Sequence, residues 1–274
     1  MAHLNWNRRT FLVSSTMAAA GLLPGIRAAA TDPVAVVAPQ EHPLMAAIAY
    51  ARNGLNEIES NIADYSCTLV KRERIQGKLA DPQYIFTKVR HEPFSVYMYF
   101  LGPDKLKGNE VLFVNGHNDG KMWAIAGKGL RRRFGVVSLD PNSAIAMEGQ
   151  RYPITEVGVR TLIVRLIEVG EHDVQYDECE VKFLQGAKIN GRVCTCIQVT
   201  HPVERDHFRF YMARIFVDDE LQIPIRYAAY HWPTRKSGKP VLDEEYTYLN
   251  VKLNNNFTDQ DFDYHNENYR FLSK

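Results

Sequence analysis

The sequence is poor in three features that often reveal a protein's class. Its 274 residues include only four cysteines, so the core has to form without a dense disulfide framework, which a chain of this length can do. Basic and acidic side chains number 33 and 32, so there is no overall attraction to nucleic acid. The apolar run at residues 11–23 falls short of the ~20 residues that cross a bilayer.

Motifs that carry catalysis or bind cofactors are also absent. The sequence holds no G-x-S-x-G elbow, no P-loop and no G-x-G-x-x-G after a predicted strand. We therefore predict that the protein is not an enzyme and uses no cofactor. Neither a Gly/Ser linker nor a repeat of about 20–50 residues interrupts the chain, which favours one domain.

The N-terminus has the features of an export signal. Arg8 and Arg9 precede the short apolar run, and the small residues Ala28 and Ala30 suit signal peptidase. The pattern resembles a twin-arginine signal over residues 1–30 with cleavage after Ala30, and the general secretory route is the alternative. We expect a periplasmic or otherwise exported protein, with a flexible leader at 31–42 and one domain at 43–274.

Hydrophobic periodicity divides the remaining chain into helices and strands. A helical period runs through "LMAAIAYARNGLNEIESNIADY", and a second one runs through "ITEVGVRTLIVRLIEVGEH". Between and after them come short segments rich in β-branched and aromatic residues, separated by turn residues. The pattern predicts an α+β fold in which two helices cover one face of a long antiparallel sheet.

The stretch "VCTCIQVTHPVERDHFRF" raises the question of a metal site. If it folds as a hairpin around "PVERD", alternation places His201 and the two cysteines on opposite faces. His201, Glu204 and His207 then remain as a candidate cluster at the hairpin end, although zinc needs three or four converging ligands. We favour cross-strand histidines here and keep the metal cluster as the alternative.

The cysteines allow two interpretations. In an oxidising compartment, a bridge from Cys67 or Cys179 to Cys194 or Cys196 is compatible with the even count. Buried free thiols are the commoner outcome. Cys194 and Cys196 are poorly placed to pair with each other, because side chains two residues apart on a strand point the same way.

A basic loop stands out in the middle of the chain. The segment "AGKGLRRRFG" brings Lys128, Arg131, Arg132 and Arg133 together between glycines. Such a loop suits contact with anionic lipid headgroups. A solvated turn without a partner is the alternative.

Five segments together resemble a secreted bacterial family catalogued as domain of unknown function 1571. They are "VKRERIQGKL", "KVRHEPFSVYMYFLGP", "GNEVLFVNGHNDGK", "ARIFVDDELQIPIRYAAYHWP" and "EEYTYLNVKLNNNFTDQDFDYHN". The order of elements is also similar to periplasmic lipoprotein carriers of the LolA type and their LolB and RseB relatives. That resemblance implies an incomplete antiparallel β-barrel, a curved sheet whose concave face is covered by helices around an apolar cavity.

The resemblance assigns ligand binding to inward-facing aromatic residues and methionines. Because side chains alternate between the two faces of a strand, Tyr97 and Tyr99 share one face of theirs. The same alternation places the aromatic residues of the hairpin on the face of Cys194 and Cys196. The predicted cavity lining is Tyr97, Tyr99, Phe113, Trp123, Phe208, Phe210, Met212 and Phe216. Ordinary core packing of the same side chains is the alternative.

Three functions from different classes fit these observations. The preferred one is a noncatalytic periplasmic carrier or binding protein for a lipid, a lipoprotein acyl chain or another apolar ligand, with transient contact to a membrane surface. The second is an envelope sensor or adaptor that uses the same sheet for a protein partner, without a lipid. The third is a metalloprotein built on the histidine cluster. No nucleic acid partner is expected.

Overall fold

The computed structural model describes residues 41–235 and 238–272, which contain two α-helices and twelve strands. Helix α1 spans Leu44–Asn61 and helix α2 spans Val159–Asp173. Between the helices lie β1 (Asp64–Ile75), β2 (Lys78–Leu79), β3 (Gln83–Arg90), β4 (Ser95–Gly102), β5 (Glu110–Val114), β6 (Met122–Ile125) and β7 (Val137–Leu139). After α2 come β8 (Glu180–Ile189), β9 (Arg192–Thr200), β10 (Met212–Asp218), β11 (Pro224–His231) and β12 (Val241–Leu253). The predicted signal peptide at 1–30 and nearly all of the predicted leader at 31–42 lie outside the described residues.

The strands form one antiparallel sheet. Its order is β7-β6-β5-β4-β3-β1-β12-β11-β10-β9-β8, with β2 paired to β1. The long strand β1 pairs with β3 on one side and with β12 on the other, and so joins the two groups of strands. The end strands β7 and β8 do not pair with each other, so the barrel stays incomplete. The predicted α+β fold class, an unclosed antiparallel sheet with helices, is confirmed.

Both helices contribute an apolar stripe to the main core. The buried residues of the stripes are Leu44, Ile48 and Ile58 on α1 and Val159, Ile163 and Ile167 on α2. These side chains join one face of the sheet in a single apolar cluster, and we call this face the helix side. Within the described residues, no helix combines the length and the hydropathy that a bilayer crossing needs.

Part of the other face of the sheet is covered by the C-terminal segment, which the sequence pattern did not predict. This segment, residues 257–271, follows β12 and contains a short 3-10 turn at Asp259–Phe262. It forms a second apolar cluster with β4, β5 and β6, whose buried members are Tyr97, Leu112, Val114, Ile125, Phe262, Tyr269 and Phe271. Near β4 and β5 the sheet is therefore covered on both faces.

Candidate functional site

A cavity of about 1100 Å³ lies on the helix side of the sheet. Its floor consists of side chains from β1, β3, β4, β5, β6, β11 and β12, because alternation along each strand turns every second residue toward the helices. Its cover comes from α2 and from the connection between β6 and α2. The volume is at the upper end of the range for small-molecule pockets and suits a ligand of lipid size.

Much of the cavity wall is apolar. Ile85, Met98 and Met122 contribute buried side chains from the sheet, and Leu162 and Leu166 contribute side chains from α2. Hydrocarbon that moves from water to such a surface is stabilised by roughly 25 cal/mol per Å². This part of the cavity is chemically suited to an alkyl or acyl chain.

One wall of the cavity is charged, which the sequence analysis missed. The Lys71 ammonium lies 3.2 Å from Glu73 Oε2. The Tyr246 hydroxyl lies 2.7 Å from Glu73 Oε1 and 3.1 Å from Glu244 Oε2. The backbone N–H of Arg151 donates to Glu73 Oε2 at 3.2 Å. The side-chain Nε of Arg151 lies 3.4 Å from Glu244 Oε2. We call these five cavity-lining residues the polar wall.

The two carboxyl groups of the polar wall face each other. Glu73 and Glu244 are direct partners across β1 and β12, and they are only 3% and 5% exposed. Two negative charges in this position repel. Because a tyrosine hydroxyl has one proton, Tyr246 donates to only one of them at a time. Burial raises the pKa of Glu244, and the charge of Arg151 opposes this shift.

A smaller pocket of about 220 Å³ adjoins the large cavity. It is enclosed by α1, α2 and the helix side of β9 and β10, with Ile197, Val199 and Ile215 in its wall. Leu166, Val169 and Phe210 line both spaces. A long apolar ligand that fills the larger cavity would therefore meet a second apolar surface here.

Most of the predicted cavity residues lie elsewhere. Tyr97, Tyr99 and Trp123 belong to the cluster under the C-terminal segment, on the face of the sheet away from the helices. Phe113 is on the helix side, but it packs in the main core beside Phe94 and does not line the cavity. For these four residues the alternative of core packing is correct.

Most of the predicted cavity residues from the hairpin, Phe208, Phe210, Met212 and Phe216, also lie outside the cavity. Phe216 lies opposite Cys196 across β9 and β10, and Met212 shares its strand face, which is not the face that lines the pockets. Phe208 stacks on His201 with ring centroids 3.9 Å apart. Phe210 alone among the eight predicted residues lines the cavity. Alternation grouped Met212 and Phe216 correctly, but it did not reveal which face meets the helices and it failed for Phe210, which precedes β10.

The predicted basic loop lies at the rim of the cavity. Its arginines occupy a 3-10 turn at Leu130–Phe134, and Lys128 is exposed just before it. Arg131 and Phe134 line the mouth of the cavity, and Arg131 pairs with Glu148 at 2.9 Å. Contact of this loop with anionic headgroups stays a prediction.

The histidine cluster does not assemble as the hairpin model required. Thr200, the last residue of β9, pairs with Met212. This partner lies four residues further along the chain than the predicted hairpin requires, so His207 is not opposite His201. His201 is fully buried, donates from Nδ1 to the Phe210 carbonyl at 3.0 Å, and has Nε2 3.4 Å from Asp173. Glu204 is exposed. Among the described residues, no group of His, Cys, Asp or Glu is arranged to hold a metal ion.

All four cysteines are free thiols, and the alternative, a bridge from Cys67 or Cys179 to Cys194 or Cys196, does not form. Sheet order explains this for Cys67, because β1 and β9 are four strand positions apart, which is about 19 Å. Cys179 directly precedes Glu180, which pairs with Thr200 on β9. Cys196 is four residues from Thr200 along β9, a distance of about 13 Å, so Cys179 does not reach it. A disulfide needs β-carbons about 4 Å apart. Burial raises the pKa of Cys67 to about 12, so this thiol stays protonated.

Solved structures resemble this chain only distantly. The Pseudomonas aeruginosa MucA/MucB complex is 14% identical, covers 79% of this chain and 60% of its own, and has a TM-score of 0.44. A LolA superfamily protein from Nitrosomonas europaea is 10% identical over 78% of this chain and 97% of its own, with a TM-score of 0.32. The Mycobacterium tuberculosis lipoprotein LppX is 12% identical over 76% and 98%, with a TM-score of 0.35. The likeness concerns the fold alone.

Comparison with curated proteins finds no match for this sequence. The profile of the family described as protein of unknown function (DUF1571) matches residues 62–271, which include every strand of the sheet and no part of α1. This range contains the polar wall, the cavity rim and the C-terminal segment. It also contains the five segments on which the sequence resemblance was based. The chain therefore belongs to the DUF1571 family.

Proposed function

We propose that this protein is a noncatalytic binding protein or carrier for an amphiphilic ligand of lipid size, and that it acts in the periplasm after export. The observation that carries the proposal is the cavity of about 1100 Å³ on the helix side of the sheet. A hydrocarbon chain would occupy the apolar part, where its burial supplies the binding free energy. The polar end of the ligand would lie against the polar wall.

The polar wall narrows the chemistry of the ligand. Plain hydrocarbon would leave these carboxyl groups without new partners, whereas a hydroxyl or ammonium group can donate to Glu73 or Glu244. Lys71 and Arg151 can donate to an oxygen of the same head group. The expected ligand therefore has one apolar and one hydrogen-bonding end.

The test combines detection of a bound ligand with a blocked cavity. Native mass spectrometry of protein purified without detergent should show a releasable mass of lipid size. N-phenyl-1-naphthylamine should bind and be displaced by lysophospholipid, and Ala124→Phe, in the cavity wall, should weaken binding at least tenfold. Ala63→Phe, at an exposed position, is the control and should bind normally. A bare polypeptide that binds no probe would contradict the proposal.

A further inference from the structure

The rim of the cavity exposes large apolar side chains to solvent. Leu130, Phe134 and Ile145 are 74%, 76% and 66% exposed, the highest values for large hydrophobic residues in the described part of the chain. Leu130 and Phe134 begin and end the 3-10 turn, and Ile145 lies in the next loop. The ion pair between Arg131 and Glu148 links the two loops. The three side chains therefore form a local group and are not scattered over the surface.

The same rim carries a concentrated positive charge. Residues 128–135 include Lys128, Arg131, Arg132 and Arg133 and no acidic residue, in a chain whose basic and acidic side chains are balanced overall. Glu148 pairs with Arg131, and the charge of Arg132 acts on Glu110. Both partners of the Arg131–Glu148 pair are more than half exposed, so this pair is weak and can exchange for another anion. We call Lys128, Leu130, Arg131, Arg133, Phe134 and Ile145 the docking rim.

The docking rim alternates exposed apolar side chains with arginines, a combination that matches the chemistry of an anionic bilayer surface. Apolar side chains enter the boundary between headgroups and acyl chains, while basic side chains remain at the phosphate level. Gly129 and Gly135 flank the turn with φ values of 80° and 65°, a conformation that lets the chain turn sharply on either side of it. Arg131, Phe134 and Ile145 also line the cavity.

We propose that the docking rim binds the surface of a bilayer containing anionic phospholipid and so brings the mouth of the cavity to the membrane. This inference goes beyond the proposed function, because it concerns a surface and not the ligand inside. Docking needs no occupied cavity. The cavity-blocked variant Ala124→Phe should therefore bind vesicles as well as the unmodified chain, and this separates the two proposals.

Co-sedimentation with phosphatidylcholine vesicles, with and without phosphatidylglycerol, tests the proposal. The protein should bind only the anionic vesicles, and added salt should weaken binding. The double variant Arg131→Gln/Arg133→Gln should lose about 25-fold in partitioning, since each basic residue contributes roughly fivefold. Leu130→Ser/Phe134→Ser should lose at least tenfold. These side chains are largely exposed, and matching melting temperatures will verify folding.

The matched control is a second exposed apolar pair. Phe183→Ser/Leu184→Ser changes side chains that are 43% and 45% exposed on the edge strand β8, outside the cavity lining, and should leave vesicle binding unchanged. Equal loss in this control would overturn the proposal. Binding that ignores phosphatidylglycerol, or no binding to either vesicle, would overturn it as well.

Discussion

The ring of Tyr97 stacks on the ring of Tyr269, with centroids 3.9 Å apart and an angle of 11° between the planes. Tyr97 belongs to β4 and Tyr269 to the C-terminal segment, so this contact fastens the segment to the face of the sheet opposite the helices. Lys88 lies 5.5 Å from the centre of the Tyr269 ring and adds a cation–π contact. The stack explains why Tyr97 is a structural residue and does not reach the ligand cavity.

Replacing Tyr269 should therefore weaken the fold without changing ligand binding. Tyr269→Ala removes a buried aromatic ring, which costs about 3 kcal/mol in the free energy of unfolding. Urea unfolding measures the loss, and binding of N-phenyl-1-naphthylamine should keep its affinity. Tyr84→Ala, at a side chain that is 47% exposed, is the control and should change stability by less than about 1 kcal/mol.

Two helical glycines should respond in opposite ways to alanine. At Gly170 on α2, the new β-carbon would lie 3.0 Å from Cγ1 of the buried Ile48, so Gly170→Ala should destabilise the fold by about 1 kcal/mol. At Gly54 on α1, the nearest atom would be 3.9 Å away, so Gly54→Ala should stabilise it by about 0.5–1 kcal/mol. Thermal melts of both variants provide the comparison. A stabilising Gly170→Ala would mean that the helices move apart easily.

The polar wall should show strong coupling between Lys71 and Glu73. Lys71→Met leaves a buried carboxylate without its ammonium partner and should cost about 3 kcal/mol. Lys71→Met/Glu73→Met removes both charges and should cost less than the single change, because no buried charge is left unpaired there. Chemical denaturation of Lys71→Met, Glu73→Met and the double variant gives the coupling free energy. A double variant at least as unstable as the single one would show that Glu73 has a further stabilising role.

His201 should make the fold sensitive to mild acid. Burial lowers the pKa of His201 below its ordinary value of 6.5, and the nearby His207 lowers it further, while the Phe210 carbonyl and Asp173 act in the opposite direction. Below about pH 6.5 the unfolded state therefore binds a proton that the folded state does not. Stability from this group is complete above that pH and is lost as the pH falls toward the folded pKa.

Urea midpoints at about pH 7.5 and about pH 5.5 should reveal this effect. The loss of stability on acidification should be smaller in His201→Gln, which retains a side-chain donor for the Phe210 carbonyl. His265→Gln, on an exposed side chain, is the control and should follow the unmodified protein. Parallel behaviour of His201→Gln and the unmodified protein would show that another group controls the acid response.

Periodicity predicted the fold well because both helices and most strands bury one face. It was less reliable where both faces are apolar, as in "FSVYMYFLG", since Tyr97 and Met98 are both buried but on opposite sides of the sheet. The register error near His201 was an even number of residues, so the grouping of side chains by face survived it within β9 and β10. It failed for Phe208 and Phe210, which lie in the connection before β10. The choice between faces depends on the C-terminal segment, whose residues show no regular period.

The polar wall escaped prediction for a different physical reason. Charged residues in "VKRERIQGKL" are typical of a solvated strand face, and alternation alone does not distinguish that face from a buried ionic network. A signal was nevertheless present. Lys71 and Glu73 continue the strand face of Leu69, which is buried in the main core, so the charges occur where apolar residues are expected.

The edge strand β8 has a consequence for self-association. An exposed edge is a template on which another chain can add a strand. In β8 the pairing with β9 shifts between Leu184 and Ala187, and Gly186 has a φ of 74°. A foreign strand that pairs with one half of β8 would lose its register over the other half. Within the described residues the outer edge of β8 is thus unpaired, and its broken register disfavours strand addition by another chain.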